Sequence, residues 1–406
     1  MTTQPLSALR QSLIGLAGFL ALVVAMGIGR FAFTPMLPLM QRDGAIDTSS
    51  AGWLAAANYA GYFAGAMCAA YVRSTPHNLM RCSLVPIALF TAAMGLTAHL
   101  LPWLLLRFAA GVLSAWVLVG TSAWCLARLA QAGRPVLAGI VYAGVGAGIA
   151  IAGALCLAFA GTSVAASVLW QYLGVIAGVL TLVVFVLIWR ADAEAANTVV
   201  AALVHAVAPV VAPTANQRGL IVCYGCFGFG YILPATFIPA LGRMVIDDPA
   251  LFGWAWPIFG VTAAISTILT GAFLHQMPRL TVMSRCYFVM AVGTALPAFA
   301  PSLPALLVSA VCVGGTFMVI TMAGFQEARV RVGAHPARLM GQMTSAFAIG
   351  QIAGPLFSAL LSHSTLFDEQ MSLRAGLGVA AAVLVAGGIW LQRAAQFIFI
   401  KQGAQA

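Results

Sequence analysis

Charge is what this chain has least of. Its 406 residues include nine acidic side chains and one lysine, and only 7% are charged. The lysine, Lys401, follows Ile400 near the chain's end, so no G-x-x-x-x-G-K-[S/T] phosphate cradle exists and an ATP-driven motor of that kind is excluded. No Asp or Glu falls well inside an apolar run. The histidines, at 77, 99, 205, 275, 335 and 363, fall between runs or at their ends. Acid–base or metal chemistry needs such groups clustered in a buried site, so the chain reads as a non-enzyme with no metal and no cofactor. Eight cysteines are present, none in a predicted outer loop, and no disulfide framework is expected. Cys223-x-x-Cys226 lies inside an apolar run, where two small packing residues account for it better than a redox pair.

What the chain does have is apolar surface. Hydrophobic residues make up 62% of it and the mean hydropathy is +1.00. A folded chain of this length could not keep that surface in water, so the lipid bilayer is its expected solvent and partner. The net charge of +10 does not form a nucleic-acid patch, because the charges fall at the ends of the apolar runs. The first run, Leu13 to Leu39, is too long for a signal-peptide core and reads as a retained helix.

Spans of about 20 apolar residues predict an all-α membrane protein of 12 transmembrane helices, near 12–40, 50–72, 79–99, 102–127, 136–159, 164–189, 219–241, 251–274, 281–300, 303–326, 338–362 and 373–393. Residues 190–217 are the one long polar break and read as a cytoplasmic linker between halves 1–189 and 218–406. With the N-terminus inside, 14 basic residues face the cytoplasm and only Arg42, Arg243 and Arg374 face out. This positive-inside bias places both termini in the cytoplasm.

The halves repeat each other at an offset of 201 residues: Gly27, Gly29 and Pro38 fall on Gly228, Gly230 and Pro239, Gly52-Trp53 on Gly253-Trp254, Pro135 on Pro336, and Gly153 on Gly354. A constant register without insertion describes one six-helix unit duplicated head to tail, a parallel repeat whose interface can open to each side in turn.

Two charges lie within predicted helices, Arg30 in the first and Arg107 in the fourth. An arginine at membrane depth costs at least about 2.5–3.5 kcal/mol on insertion scales, so it faces a cavity or a partner, or snorkels to the surface. For Arg30 the two readings are an anion site and a snorkelling side chain. Arg107 lies five residues after Pro102, close to the outer surface, and shares a small polar face with Gly111, Ser114, Leu118 and Thr121; that face suits packing or gating. Other embedded polar residues are Asn58 and Tyr62, four apart on one helix face, with Tyr142, Tyr224, Tyr231, Trp256 and Gln351. Singly each reads as core packing; together they suggest an aromatic cavity with few polar anchors. Glu327 reads as a salt-paired loop residue beside Arg329 and Arg331 rather than a coupling carboxylate.

Arg107-Phe-Ala-Ala-Gly111 resembles the fourth-helix R-x-x-x-G motif of the major facilitator superfamily. More narrowly, the chain is similar to bacterial YbfB/YjiJ-type transporters in Gly27-Ile-Gly-Arg-Phe-Ala-Phe-Thr-Pro-Met-Leu-Pro38, Asn58-Tyr-Ala-Gly-Tyr62, Gly228-Phe-Gly-Tyr-Ile-Leu-Pro-Ala-Thr-Phe237 and Gly350-Gln-Ile-Ala-Gly-Pro355. The resemblance implies a secondary carrier of the bacterial inner membrane. One departure is plain: the superfamily's basic-acidic loop after the second helix keeps Arg73 and Arg81 here but no acidic partner. The reading is a monomeric alternating-access transporter of a small organic anion, with Arg30, Arg107, Asn58, Tyr62, Tyr142, Tyr231, Trp256 and Gln351 as candidate substrate-binding or coupling residues. Efflux of hydrophobic drugs is the second reading, and a non-transporting receptor the third.

Overall fold

The computed structural model describes residues 7–69, 71–72, 74–198, 217–245, 253–332, 336–362 and 369–403. Among the described residues every regular element is helical, and the helices form twelve rods: α1 (Ala8–Arg42), α2 (Thr48–Ala69), α3 (Pro76–Ala93), α4 (Leu100–Gln131), α5 (Pro135–Phe159), α6 (Ala166–Thr198), α7 (Gln217–Val245), α8 (Ala255–Phe273), α9 (Arg279–Phe299), α10 (Leu303–Val332), α11 (Pro336–Ser362) and α12 (Glu369–Gly403). Among the described residues, nine of them are long and apolar enough to cross a membrane. Large apolar residues such as Leu105, Leu182, Val292 and Leu360 stand exposed on the outside of the bundle, as a lipid-facing surface requires.

Local chemistry starts the helices where the sequence places them. Ser7 caps α1 through the Arg10 amide at 3.1 Å, Asp47 caps α2 through the Ser50 amide at 2.8 Å, and Thr75 with Pro76 opens α3. The expected linker is shorter at its start than 190–217, because α6 continues to Thr198. Ala191, Ala193, Ala195 and Ala196 are strong helix formers and carry the helix past the apolar run. The rest of that segment, 199–216, lies outside the described residues. The repeated Gly-Trp pairs put Trp53 and Trp254 on the exposed surface at the starts of α2 and α8, positions suited to a membrane interface.

Within the first six helices α2 packs on α4 and α1 on α5; within the last six α7 packs on α11 and α9 on α12. The two most extensive pairings between the two sets are α5 with α8 and α2 with α11, with lesser ones of α10 against α5 and α4 and of α11 against α4. The α5–α8 seam is the closest. Gly146 and Gly260 oppose each other so tightly that a Cβ on either would strike the other helix's backbone.

Candidate functional site

The centre of the first helix is not a regular α-helix. Val23–Phe31 is wound as a π-helix, and every residue in it is buried. Such wide turns mark functional positions more often than structural ones. Gly27 permits the packing here, since a side chain on it would collide with the backbone at Gly148 of α5. Pro35 follows and has no N–H to give back along the chain, so one carbonyl a turn earlier needs a donor from elsewhere.

Arg107 is that donor. Its Nη1 and Nη2 bond the carbonyls of Gly29 and Arg30 at 3.3 and 3.2 Å, and its guanidinium lies 4.7 Å from the Phe33 ring. It is 4% exposed, so the reading in which it stretches to water is not what the fold does. Asn58 in turn fixes α4 from α2, its Nδ2 donating to the Arg107 carbonyl at 2.9 Å. Arg107 and Asn58 therefore shape the backbone that carries Arg30.

Arg30 is 2% exposed and does not snorkel. Its Nη2 donates to Oε1 of Gln351, 321 residues away on α11, which ties the first helix to the eleventh. Its guanidinium lies over the Tyr62 ring, 3.4 Å from the centroid, with Phe31 at 5.4 Å and Tyr59 at 5.9 Å. Rings supply a favourable quadrupole worth about 2 kcal/mol to a desolvated cation, but they do not neutralise it. Among the described residues no carboxylate pairs with Arg30 or Arg107. Nε and Nη1 of Arg30 are buried without a hydrogen-bond partner.

Facing Arg30 is a wall of rings. Tyr231 stacks on Phe317 at 5.2 Å, Phe317 lies 5.1 Å from Phe259, and Phe259 stacks on Trp256 at 5.3 Å. Phe31 meets Phe317 edge-on at 6.1 Å, closing the contact between Arg30's helix and this wall. The Tyr231 hydroxyl, Trp256 Nε1 and Gln351 Nε2 are also buried and unbonded, as is one acceptor, Asn58 Oδ1. Most of the unpaired groups are thus donors. Each buried donor left unbonded costs about 1–3 kcal/mol, a cost that an acceptor-rich guest would remove.

Of the eight candidate residues the structure joins Arg30, Arg107, Asn58, Tyr62 and Gln351 in one network and brings Tyr231 and Trp256 to the wall. The Tyr142 hydroxyl donates to Ser122 at 2.8 Å, and among the described residues no hydrogen bond joins it to that network. Phe259, Phe317 and Tyr59 are members that the sequence reading missed, and nothing sets them apart among 23 phenylalanines and eight tyrosines. Glu327 is a helix residue of α10 rather than a loop one, and it pairs with Arg331 at 2.9 Å and Arg279 at 3.6 Å, not with Arg329. In the Cys223-x-x-Cys226 pair, the Cys223 thiol faces the Gly387 carbonyl of α12.

A bundle of apolar helices with a polar, cationic interior defines a multi-pass membrane protein of the transporter class. Residues 22–392 match the family described as the uncharacterised MFS-type transporter YbfB, and the chain belongs to that family of the major facilitator superfamily. No curated protein matches the chain. Among solved structures, the human organic anion transporter MFSD10 (TETRAN) shares the fold, with a TM-score of 0.68 over 95% of this chain and 100% of that one, at 13% identity.

Proposed function

We propose that this transporter is a secondary carrier for a small organic anion, working by alternating access between two parallel six-helix repeats joined by the segment that follows α6. The observation that carries the reading is Arg30: a buried guanidinium with two unbonded nitrogens and no carboxylate. A carboxylate or similar oxyanion accepts from such a fork in charge-assisted bonds, which are roughly twice as strong as neutral ones. The neighbouring open donors on Gln351, Tyr231 and Trp256 extend the same preference. Because Gln351 already holds Arg30, an arriving anion competes with that bond and so acts on the α1–α11 contact. The fold neighbour named as an organic anion transporter agrees with this substrate class. If a proton is coupled, it rides on the substrate or an edge group, since among the described residues no carboxylate pairs with Arg30 or Arg107.

The distribution of basic residues supports a bacterial inner-membrane location with both termini in the cytoplasm, and the fold suits a monomer. A second reading, efflux of hydrophobic compounds, is favoured by the Tyr231–Phe317–Phe259–Trp256 wall. Thermal stabilisation of the purified protein by carboxylates, phosphate esters and lipophilic cations separates the two, with wild type and Arg30→Gln side by side and flux in liposomes for any hit. Stabilisation by anions that disappears in Arg30→Gln is the expected result. Stabilisation by lipophilic cations alone, equal in both proteins, rejects the anion carrier.

A further inference from the structure

At the opposite end of several of these helices, well away from Arg30 along α4 and α10, the bundle has a second cationic feature. A cavity of about 410 Å³ lies between the ends of α4 and α5 on one side and of α8, α9 and α10 on the other. Arg134, Arg279 and Arg329 line it, one from each of three separate chain segments, together with His275 and Gln326. We propose that this cavity is a binding site for a phosphate-bearing anion, either a lipid headgroup or free phosphate, distinct from the Arg30 site.

The charge balance supports it. Glu327 is the one carboxylate paired in this region, and two guanidinium groups already share it, Arg279 at 3.6 Å and Arg331 at 2.9 Å. Arg329 gives one N–H to the Leu126 carbonyl at 2.6 Å, which leaves its charge uncompensated. Arg134 is exposed, and no hydrogen bond or ion pair engages its guanidinium among the described residues. The region therefore holds a surplus of positive charge around a space of fixed size. Two helices also begin on this cavity, α5 at Pro135 and α9 at Arg279, neither with a side-chain cap, so their positive dipole ends face the same way.

Geometry selects phosphate within the anions. Guanidinium groups arriving from different helices surround a tetrahedral ion with acceptors on several sides better than a planar carboxylate. Basic pockets between transmembrane helices on the cytoplasmic side are a known form of lipid-headgroup site, and the positive-inside reading puts this face there. The deeper lining, with Leu129 and Met322, is apolar and compatible with the start of an acyl chain. An anion held between Arg134 on the first six helices and Arg279 and Arg329 on the last six bridges the two sets at this face. It adds to the existing Arg329–Leu126 contact and holds the face closed.

The test uses the full chain in detergent, by native mass spectrometry and thermal stability, with phosphatidylglycerol, phosphatidylcholine and inorganic phosphate as probes. The expected result is preferential retention of phosphatidylglycerol over phosphatidylcholine, with apparent affinity falling about fivefold in Arg134→Gln, as one surface guanidinium typically contributes. Arg134 is exposed, so this variant folds, and Arg134→Lys restores part of the loss. Competition by inorganic phosphate identifies a site open to soluble anions, whereas lipid retention without such competition identifies a headgroup site; both uphold the proposal. Equal retention of the two lipids together with no stabilisation by phosphate, or retention unchanged in Arg134→Gln, overturns it. Arg30→Gln is expected to leave retention intact, and its loss there would merge this site with the central one and overturn the proposal as well.

Discussion

Gly27-Ile-Gly-Arg-Phe31 and Gly228-Phe-Gly-Tyr-Ile232 stand 201 residues apart on one outline and have taken different chemistry. In both, the leading glycine lets two helix backbones touch, Gly27 against Gly148 of α5 and Gly228 against Phe347 of α11. The first stretch is wound as a π-helix and the second as a regular α-helix. At the fourth position the first presents Arg30 and the second Tyr231, both buried. The same offset sets Arg107 against Val308, which is exposed and holds nothing, and Asn58 against Phe259 of the ring wall. The glycine contact is thus the shared packing solution, and the side chains around it were free to diverge. The first stretch and its neighbours supply the charge and the donors that support it; the second and its neighbours supply aromatic surface and the Gln351 bond to Arg30.

The comparison can be broken most sharply at Arg107. Arg107→Leu orphans the carbonyls of Gly29 and Arg30, at about 1–3 kcal/mol each, so a fall in stability of about 2–6 kcal/mol is expected, read as Tm in detergent. Val308→Ala, the counterpart, should stay within about 0.5 kcal/mol, as surface changes do. Next comes the charge itself. Arg30→Gln removes charge-assisted bonds of about 1.5–3 kcal/mol, so affinity for a stabilising anion should drop about 10- to 100-fold, while Tyr231→Phe should change it less than tenfold. An equal loss in the two variants would erase the division of labour. Gly27→Ala and Gly228→Ala probe what the copies share, and each should cost about 1–3 kcal/mol through overpacking; a cost confined to one would show that the contacts are not equivalent. Tyr62→Phe should leave stability nearly unchanged and Tyr62→Leu should lose about 2 kcal/mol, because the ring face and not the hydroxyl meets Arg30. The smallest effect belongs to Asp47. Hydrogen bonding by the Ser50 side chain, and then by its amide, holds the Asp47 carboxyl below the usual carboxylate range. A depressed pKa stabilises above the unfolded value and the increment is lost as pH falls through the folded one, so the Tm gap between wild type and Asp47→Ala should narrow in acid.

The helices were legible because a bilayer demands long apolar runs. Arg30 and Arg107 were legible as charges at depth. Their division was not: Arg30 meets Gln351 across 321 residues, and Arg107 serves two carbonyls that only the π-helical winding and Pro35 leave exposed. Spacing along one helix carries no record of either. Nor does spacing show that the Tyr142 hydroxyl bonds Ser122. The end of α6 was misplaced because hydropathy falls at residue 190 while helix propensity does not.

Two guanidinium groups held without acidic partners make the protein's interior an electrical object as well as a chemical one. A charge carried across the full membrane exchanges about 2.3 kcal/mol for every 100 mV. Any rearrangement that shifts Arg30 along the membrane normal therefore does work against the cell's voltage, in proportion to the fraction of the field it crosses. On the anion-carrier proposal, a bound monoanion cancels one of the two charges, so the loaded and empty carriers respond to voltage by different amounts.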